Sequence, residues 1–182
     1  MAVVLGTSSG FVTVAPTADP SGSSAFVIDS LSTVTKDISP STPMKIIEIG
    51  WWRDSGTDPA NWEIGLYSEA AGIADALLEV DRTNSTTTTG WTRKTVNWSI
   101  STSTAYWLAL QMDAHAGSSA VDIQSSGGMG RDSLTAQTTL NNPYGGGAVA
   151  SAVAMVALYA LVQPLFTPAW GTKATSIIGG AF

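Results

Sequence analysis

The sequence predicts an all-β domain built as a sandwich of sheets, and three observations lead there. Short apolar or alternating runs recur along the chain, separated by polar, Gly-rich or Pro-containing breaks. Periodicity at helical spacing is nearly absent. Hydrophobic residues make up 44% and charged residues 12% of the 182 residues, so the polar surface must come largely from Ser, Thr, Asn and Gly, as on threonine-lined sheet faces. A chain of this length suits one domain and buries a core without disulfide or metal staples.

Strands are expected over residues 3–5, 11–14, 26–28, 45–52, 62–67, 76–82, 91–98, 105–112, 121–124 and 155–162. In the fourth of these, Ile47, Ile49 and Trp51 share a face opposite Ile46, Glu48 and Trp52, and the first set is expected to point inward. The next runs repeat the logic. Trp62, Ile64 and Leu66 oppose Glu63, Gly65 and Tyr67; Leu78 and Val80 oppose Glu79 and Asp81; Tyr106, Leu108, Leu110 and Met112 oppose Ala105, Trp107, Ala109 and Gln111. One helical turn is expected at 68–75, and loop tips at 54–59, 84–90 and 127–130. Segments 15–24 and 125–147 carry too little apolar content for core strands and are expected as surface excursions or docking arms.

The run 155–162 is almost continuously apolar, so both of its faces must be covered, either by a second sheet plus a loop or by a neighbouring subunit. Met155, Val156, Leu158, Tyr159 and Leu161 are therefore candidate subunit-interface residues. The longer stretch 148–166 is nearly long enough to span a bilayer, but it contains Ser151 and Gln163, ends near Pro164 and lacks flanking Lys or Arg, so no membrane role is expected. The division into domains follows: an N-terminal arm at 1–24, a sandwich domain at 25–166 and a C-terminal tail at 167–182.

Composition also excludes chemistry. A net charge of −6, with the eight Lys and Arg scattered, opposes nucleic-acid binding. Cysteine is absent, which removes disulfides and thiolate metal sites. The first residues show no basic region followed by a sustained apolar run, so no signal peptide is expected.

Each candidate site has a plainer structural reading. His115, the single histidine, can be written into a Ser-His-Asp set with Ser118 and Asp113, but no nucleophile-elbow context accompanies it, and a loop-tip histidine is the expectation. Glu48, Glu63, Glu79 and Asp81 could supply paired carboxylates for glycoside hydrolysis, yet each alternates with apolar residues and is expected as a solvated surface group. In the loop after Trp52, Asp54, Asp58 and Asn61 offer oxygen ligands for a hard cation, but the same residues form ordinary turns. Gly127-Gly128-Met129-Gly130 leads into no lysine-bearing helix, so it is a connector and not a phosphate loop. Of the seven tryptophans, most must be core. Trp52, Trp62 and Trp91 flank loops and are candidate sugar-stacking residues, with Trp52 foremost because it opposes Ile49 and Trp51.

Residues 45–112 carry a resemblance. The runs Ile46-Ile47-Glu48-Ile49-Gly50-Trp51, Trp62-Glu63-Ile64-Gly65-Leu66-Tyr67-Ser68, Ala76-Leu77-Leu78-Glu79, Gly90-Trp91 and Tyr106-Trp107-Leu108-Ala109-Leu110 resemble a jelly-roll, carbohydrate-binding-module-like domain of bacteriophage virion proteins and bacterial surface proteins. Where that family often has a proline after the tyrosine strand, this chain reads Glu69-Ala70-Ala71-Gly72-Ile73-Ala74-Asp75. The resemblance implies an all-β, jelly-roll β-sandwich with extended N-terminal and C-terminal arms, and it carries over no catalytic residue and no cofactor.

With the absent signal peptide and cysteines, it implies a non-enzymatic virion structural protein, a capsid decoration (cement) or tail-associated component assembled in the host cytoplasm. Its partners would be capsid or tail subunits and copies of itself, a trimer being typical of such decoration proteins. The alternative is a carbohydrate-binding module recognising a cell-surface glycan.

Overall fold

The computed structural model describes residues 2–20, 24–55, 58–84, 87–114, 119–124, 128–146 and 155–165. Among them the chain forms twelve strands: β1 (Gly10–Val12), β2 (Ser24–Ile28), β3 (Leu31–Ile38), β4 (Met44–Ser55), β5 (Pro59–Ala70), β6 (Ile73–Asn84), β7 (Gly90–Ser99), β8 (Ala105–Ala114), β9 (Ser119–Gln124), β10 (Arg131–Thr135), β11 (Met155–Val156) and β12 (Leu158–Pro164). No helix of the described residues is long and apolar enough to cross a membrane. Of the stretch 148–166, residues 155–156 and 158–164 are strand, while 148–154 and 166 lie outside the described residues.

Two sheets divide these strands. In one, β4 is flanked by β7 on one side and by β12 and then β9 on the other; β1 extends the sheet beyond β12, while β2 and β11 pair with β9. The other runs β10-β3-β8-β5-β6. Ile46, Ile49, Trp51, Val121, Val156, Leu158 and Ala160 of the first sheet meet Trp62, Ile64, Leu66, Leu108, Leu110 and Met112 of the second in one core. This is the layering of a β-sandwich, in which alternate residues of each strand face the opposite sheet. Trp51 and Trp62 touch across it edge to face, 5.7 Å between centroids.

Alternation placed Ile49 and Trp51 inward, and both are buried. It fails at Ile47. Against β12 a β-bulge sets the adjacent Leu161 and Val162 opposite Glu48 and Ile46, so β4 carries one extra residue there, which reverses the facing of everything before it. Ile46 is consequently the core residue and Ile47 only half-buried.

The expected turn of helix at 68–75 is instead a hairpin. Ala71 and Gly72 have φ of 52° and 89°, the two left-handed positions of a type I′ connection that matches strand twist, so β5 runs directly into β6. Residues 3–5 form no strand and make only an isolated bridge from Leu5 to Ser9.

Both outer faces of the sandwich are covered by the chain itself. On the five-stranded sheet, Leu140 and Tyr144 lie in a second cluster with Val34, Tyr67, Trp107 and Ala109. The Tyr67 hydroxyl donates to the Asn141 carbonyl at 2.7 Å. Glu63, expected in solvent, is 4% exposed: its carboxylate takes the Leu140 amide at 2.8 Å and pairs with Arg82 at 2.5 Å. Thus an outward-facing acid of β5 fastens the covering segment. Part of segment 125–147 also becomes β10, an edge strand antiparallel to β3.

On the seven-stranded sheet, Val3 packs with Met155 and Ala157, and Leu5, Trp52 and Trp91 join them. The N-terminal segment then enters the sheet as β1, parallel to β12. Gly10, at φ +71°, approaches Asp37 so closely that a Cβ there would collide with Oδ2. The Asp37 carboxylate accepts the Phe11 amide at 2.7 Å and the Ile38 amide at 2.7 Å, closing the gap between β1 and β3. Burial holds this carboxyl above its ordinary pKa.

A candidate binding surface on the seven-stranded sheet

The outer face of β4, β7 and β12 gathers the chemistry. Trp52 pairs with Trp91 and Gly50 with Arg93 across β4 and β7, while Gly50 pairs with Tyr159 across β4 and β12. Gly50 must be glycine for this packing, because a Cβ would lie 2.5 Å from the Tyr159 ring. Laid across that gap, Tyr159 meets Trp91 edge to face at 5.2 Å, and Trp91 meets Trp52 at 5.5 Å.

Polar groups border the three rings. The Tyr159 hydroxyl donates to Glu48 Oε1, and Arg93 Nε lies 4.0 Å from the same oxygen. Burial, then the Glu48 contact, pushes the Tyr159 phenol far above its ordinary pKa, so it remains a donor at neutral pH. Two donors of this face are taken by backbone of the N-terminal segment: Trp91 Nε1 gives to the Ala18 carbonyl at 3.0 Å and Arg93 Nη2 to the Pro16 carbonyl at 2.6 Å. Trp52 Nε1 has no acceptor among the described residues. Rings, a carboxylate and a guanidinium on one face are the groups that stack on and hydrogen-bond a polar ring; here carbonyls of the same chain occupy those donors.

The three candidate sugar-stacking tryptophans therefore part company. Trp52 and Trp91 are half-buried neighbours on the outer face, whereas Trp62 is 3% exposed in the inter-sheet core and offers no ring face to solvent. Arg93 was legible in principle, since it follows Trp91 by two residues in a strand and so shares its face.

The apolar run 155–162 finds its cover within the subunit. Val156 and Leu158 face the inter-sheet core, Met155 packs under Val3 and Tyr159 lies under the aromatic group, all fully or nearly fully buried; Leu161 is half-buried. The sheet opposite covers one side, and the N-terminal segment the other.

In the loop after β4, the exposed Asp58 is held by Arg53 and by the Thr87 hydroxyl at 2.8 Å. Those hydrogen bonds, Thr87's first, lower its pKa. Asp54 is exposed and Asn61 half-buried. Among the described residues no group of three or more His, Cys, Asp or Glu is placed to hold a metal ion. His115 and Ser118, written above as parts of a triad, lie outside the described residues, as does Gly127.

Of the other strand carboxylates, Asp81 pairs with Lys94 at 3.4 Å and its carboxylate accepts from Asn84 at 2.8 Å, so it serves the edge between β6 and β7. No protein-family model, curated protein or solved structure matches the chain.

Proposed function

We propose that the protein is a non-enzymatic structural component of a bacteriophage virion, a capsid decoration or tail-associated protein that binds capsid or tail subunits and assembles with copies of itself, a trimer being the symmetry to test first. The observation that carries this reading is strand order. Taken without β1, β10, β11 and β12, the sheets run β2-β9-β4-β7 and β3-β8-β5-β6. Successive strands alternate between the sheets except at the β5–β6 hairpin. This order supports a jelly roll, the eight-stranded double Greek key, and so supports the resemblance found in residues 45–112. Fold alone does not give function, so the test is assembly. Light scattering after size exclusion should give a homo-oligomer, and the protein should co-sediment with purified capsids or tails; a stable monomer that binds neither overturns the proposal.

The second reading is a glycan-binding module, and one observation favours it: Trp52 and Trp91 are half-buried side by side on the outer face, with Arg93 and Glu48 beside them. A glycan array tests it. Binding that drops at least about tenfold on Trp91→Ala, on the scale of one lost ring contact, supports it; no bound glycan, or binding indifferent to that change, removes it.

A further inference from the structure

Two hydrogen bonds fix how the N-terminal segment lies on the candidate surface. Trp91 Nε1 gives to the Ala18 carbonyl at 3.0 Å and Arg93 Nη2 to the Pro16 carbonyl at 2.6 Å. The later residue of one partner meets the earlier residue of the other, so the segment runs antiparallel to β7 over its outer face. Carbonyls two residues apart on an extended chain point the same way, about 6.5 Å apart, and side chains two apart on a strand share a face at the same repeat. The two donors thus match the spacing of an extended peptide backbone.

The segment's own chemistry suits them. Residues 13–20 form no strand, and Thr13, Val14, Thr17, Ala18 and Asp19 are exposed; Pro20 is buried and Ala15 and Pro16 half-buried. Proline has no N–H, so positions 16 and 20 bring acceptors to the face without a donor that burial would leave unpaired. Indole and guanidinium N–H groups can only donate, which completes the match.

Its hold is loose. The segment borders a groove of ≈ 370 Å³ shared with Ala2, Gly6, Thr7 and Ser8, so that flank lacks the close packing of an interior, and Val14 is 77% exposed.

We propose that the outer face around Trp91 and Arg93 is a receptor for an extended, proline-containing peptide of another protein chain, and that residues 15–20 are its resident ligand, which such a peptide displaces. Recognition reads two backbone carbonyls at i and i+2 and packs the prolines beside them, a mode in which a preformed extended segment loses little entropy on binding. Tethering gives the resident segment an effective concentration on the order of millimolar, and the incoming peptide competes against that. The proposal goes beyond both functional readings above and depends on neither.

The probe is a capped peptide of residues 13–20, Thr-Val-Ala-Pro-Thr-Ala-Asp-Pro, added to the full chain. With millimolar peptide, the unmodified protein should exchange its 13–19 amides at least about tenfold faster, the β4, β5 and β8 amides staying unchanged. Pro16→Gly with Pro20→Gly loosens the resident segment, so the labelled peptide should bind that full-length variant about tenfold tighter than the parent by fluorescence anisotropy. Adding Arg93→Ala should weaken this binding at least about tenfold, and changing both prolines of the peptide to glycine should weaken it about fivefold. Protection of the β4, β5 and β8 amides shows that each variant is folded, and the exchange measurement on the unmodified protein needs no variant. Unaltered exchange in 13–19, no binding to the loosened variant, binding indifferent to Arg93→Ala or to the prolines, or cellohexaose raising exchange in 13–19 where the peptide does not, overturns the proposal.

Discussion

Replacing Asp122 by Asn should stabilise the protein at neutral pH and do nothing for it in acid. Asp122 is 3% exposed on β9, and burial first, then Asp54 and Asp19, raises its carboxyl from 3.8 to about 6. A carboxyl whose folded pKa lies above its unfolded one binds protons more readily in the folded state. Stability is therefore greatest below pH 3.8, falls as pH rises toward about 6 and stays lowered above it. Two pH units correspond to a ceiling of about 3 kcal/mol. Asp54 and Asp19 are themselves exposed, so solvent screens their repulsion, and the expected gain for Asp122→Asn at pH 7 is about 1–2 kcal/mol. In a domain of this size that is a rise in Tm of roughly 3–6 °C. Urea titrations of both proteins at pH 7 and at pH 3.5 measure it, with the difference between variant and parent isolating this group from the other carboxyls. Equal gains at the two pH values, or a loss at pH 7, would refute the reasoning.

Three further substitutions probe the close contacts. Gly50→Ala drives a methyl into the Tyr159 ring, 2.5 Å away, and should cost about 1–3 kcal/mol in urea unfolding; a neutral result would mean that Tyr159 does not lie across β4. Gly10→Ala combines a left-handed φ of +71° with a collision against Asp37, so it should loosen the first segment and speed protease cleavage within 13–20, and an unchanged cleavage rate contradicts the β1 packing. Glu63→Gln leaves Arg82 without its charge partner and weakens the acceptor of the Leu140 amide, a loss of about 1–3 kcal/mol, accompanied by faster amide exchange near Leu140; protection as high as in the parent would show that the acid does not fasten that segment.

Strands β4 to β8 were legible because each is either apolar throughout or alternates apolar with polar residues, although β5 and β8 are buried on both faces. β3 was not. Its Thr33 and Thr35 are fully buried and Asp37 nearly so, and these polar groups serve other strands: Thr35 Oγ1 accepts the Val156 amide at 3.1 Å, and Asp37 the Phe11 amide. A strand that devotes its buried face to hydrogen bonds reads as a loop, since polarity in sequence does not reveal where partners sit. β10 escaped notice for a related reason, being a short polar edge held by backbone pairing.

The phase slip at Ile47 belongs to a bulge, which the local run of Ile46 and Ile47 cannot announce because both residues are equally apolar. At the candidate surface, the facing of Trp52 was legible from alternation alone. What covers it was not: the Pro16 and Ala18 carbonyls that reach Arg93 and Trp91 are backbone atoms, common to every residue, and only tertiary structure brings them there.

The parallel pairing of β1 with β12 has a consequence for biosynthesis. Gly10 leaves the ribosome roughly 150 residues ahead of its partner Tyr159. Until β12 follows, Val3, Phe11 and Val12, all nearly fully buried in the folded domain, have no sheet edge to join. Closing so long a loop is slow, so the sandwich can be largely assembled while its first segment still waits. The outer aromatic face is then the last part of the domain to be sealed, and the newborn chain passes through a stage in which Trp52 and Trp91 lie open to whatever is nearby.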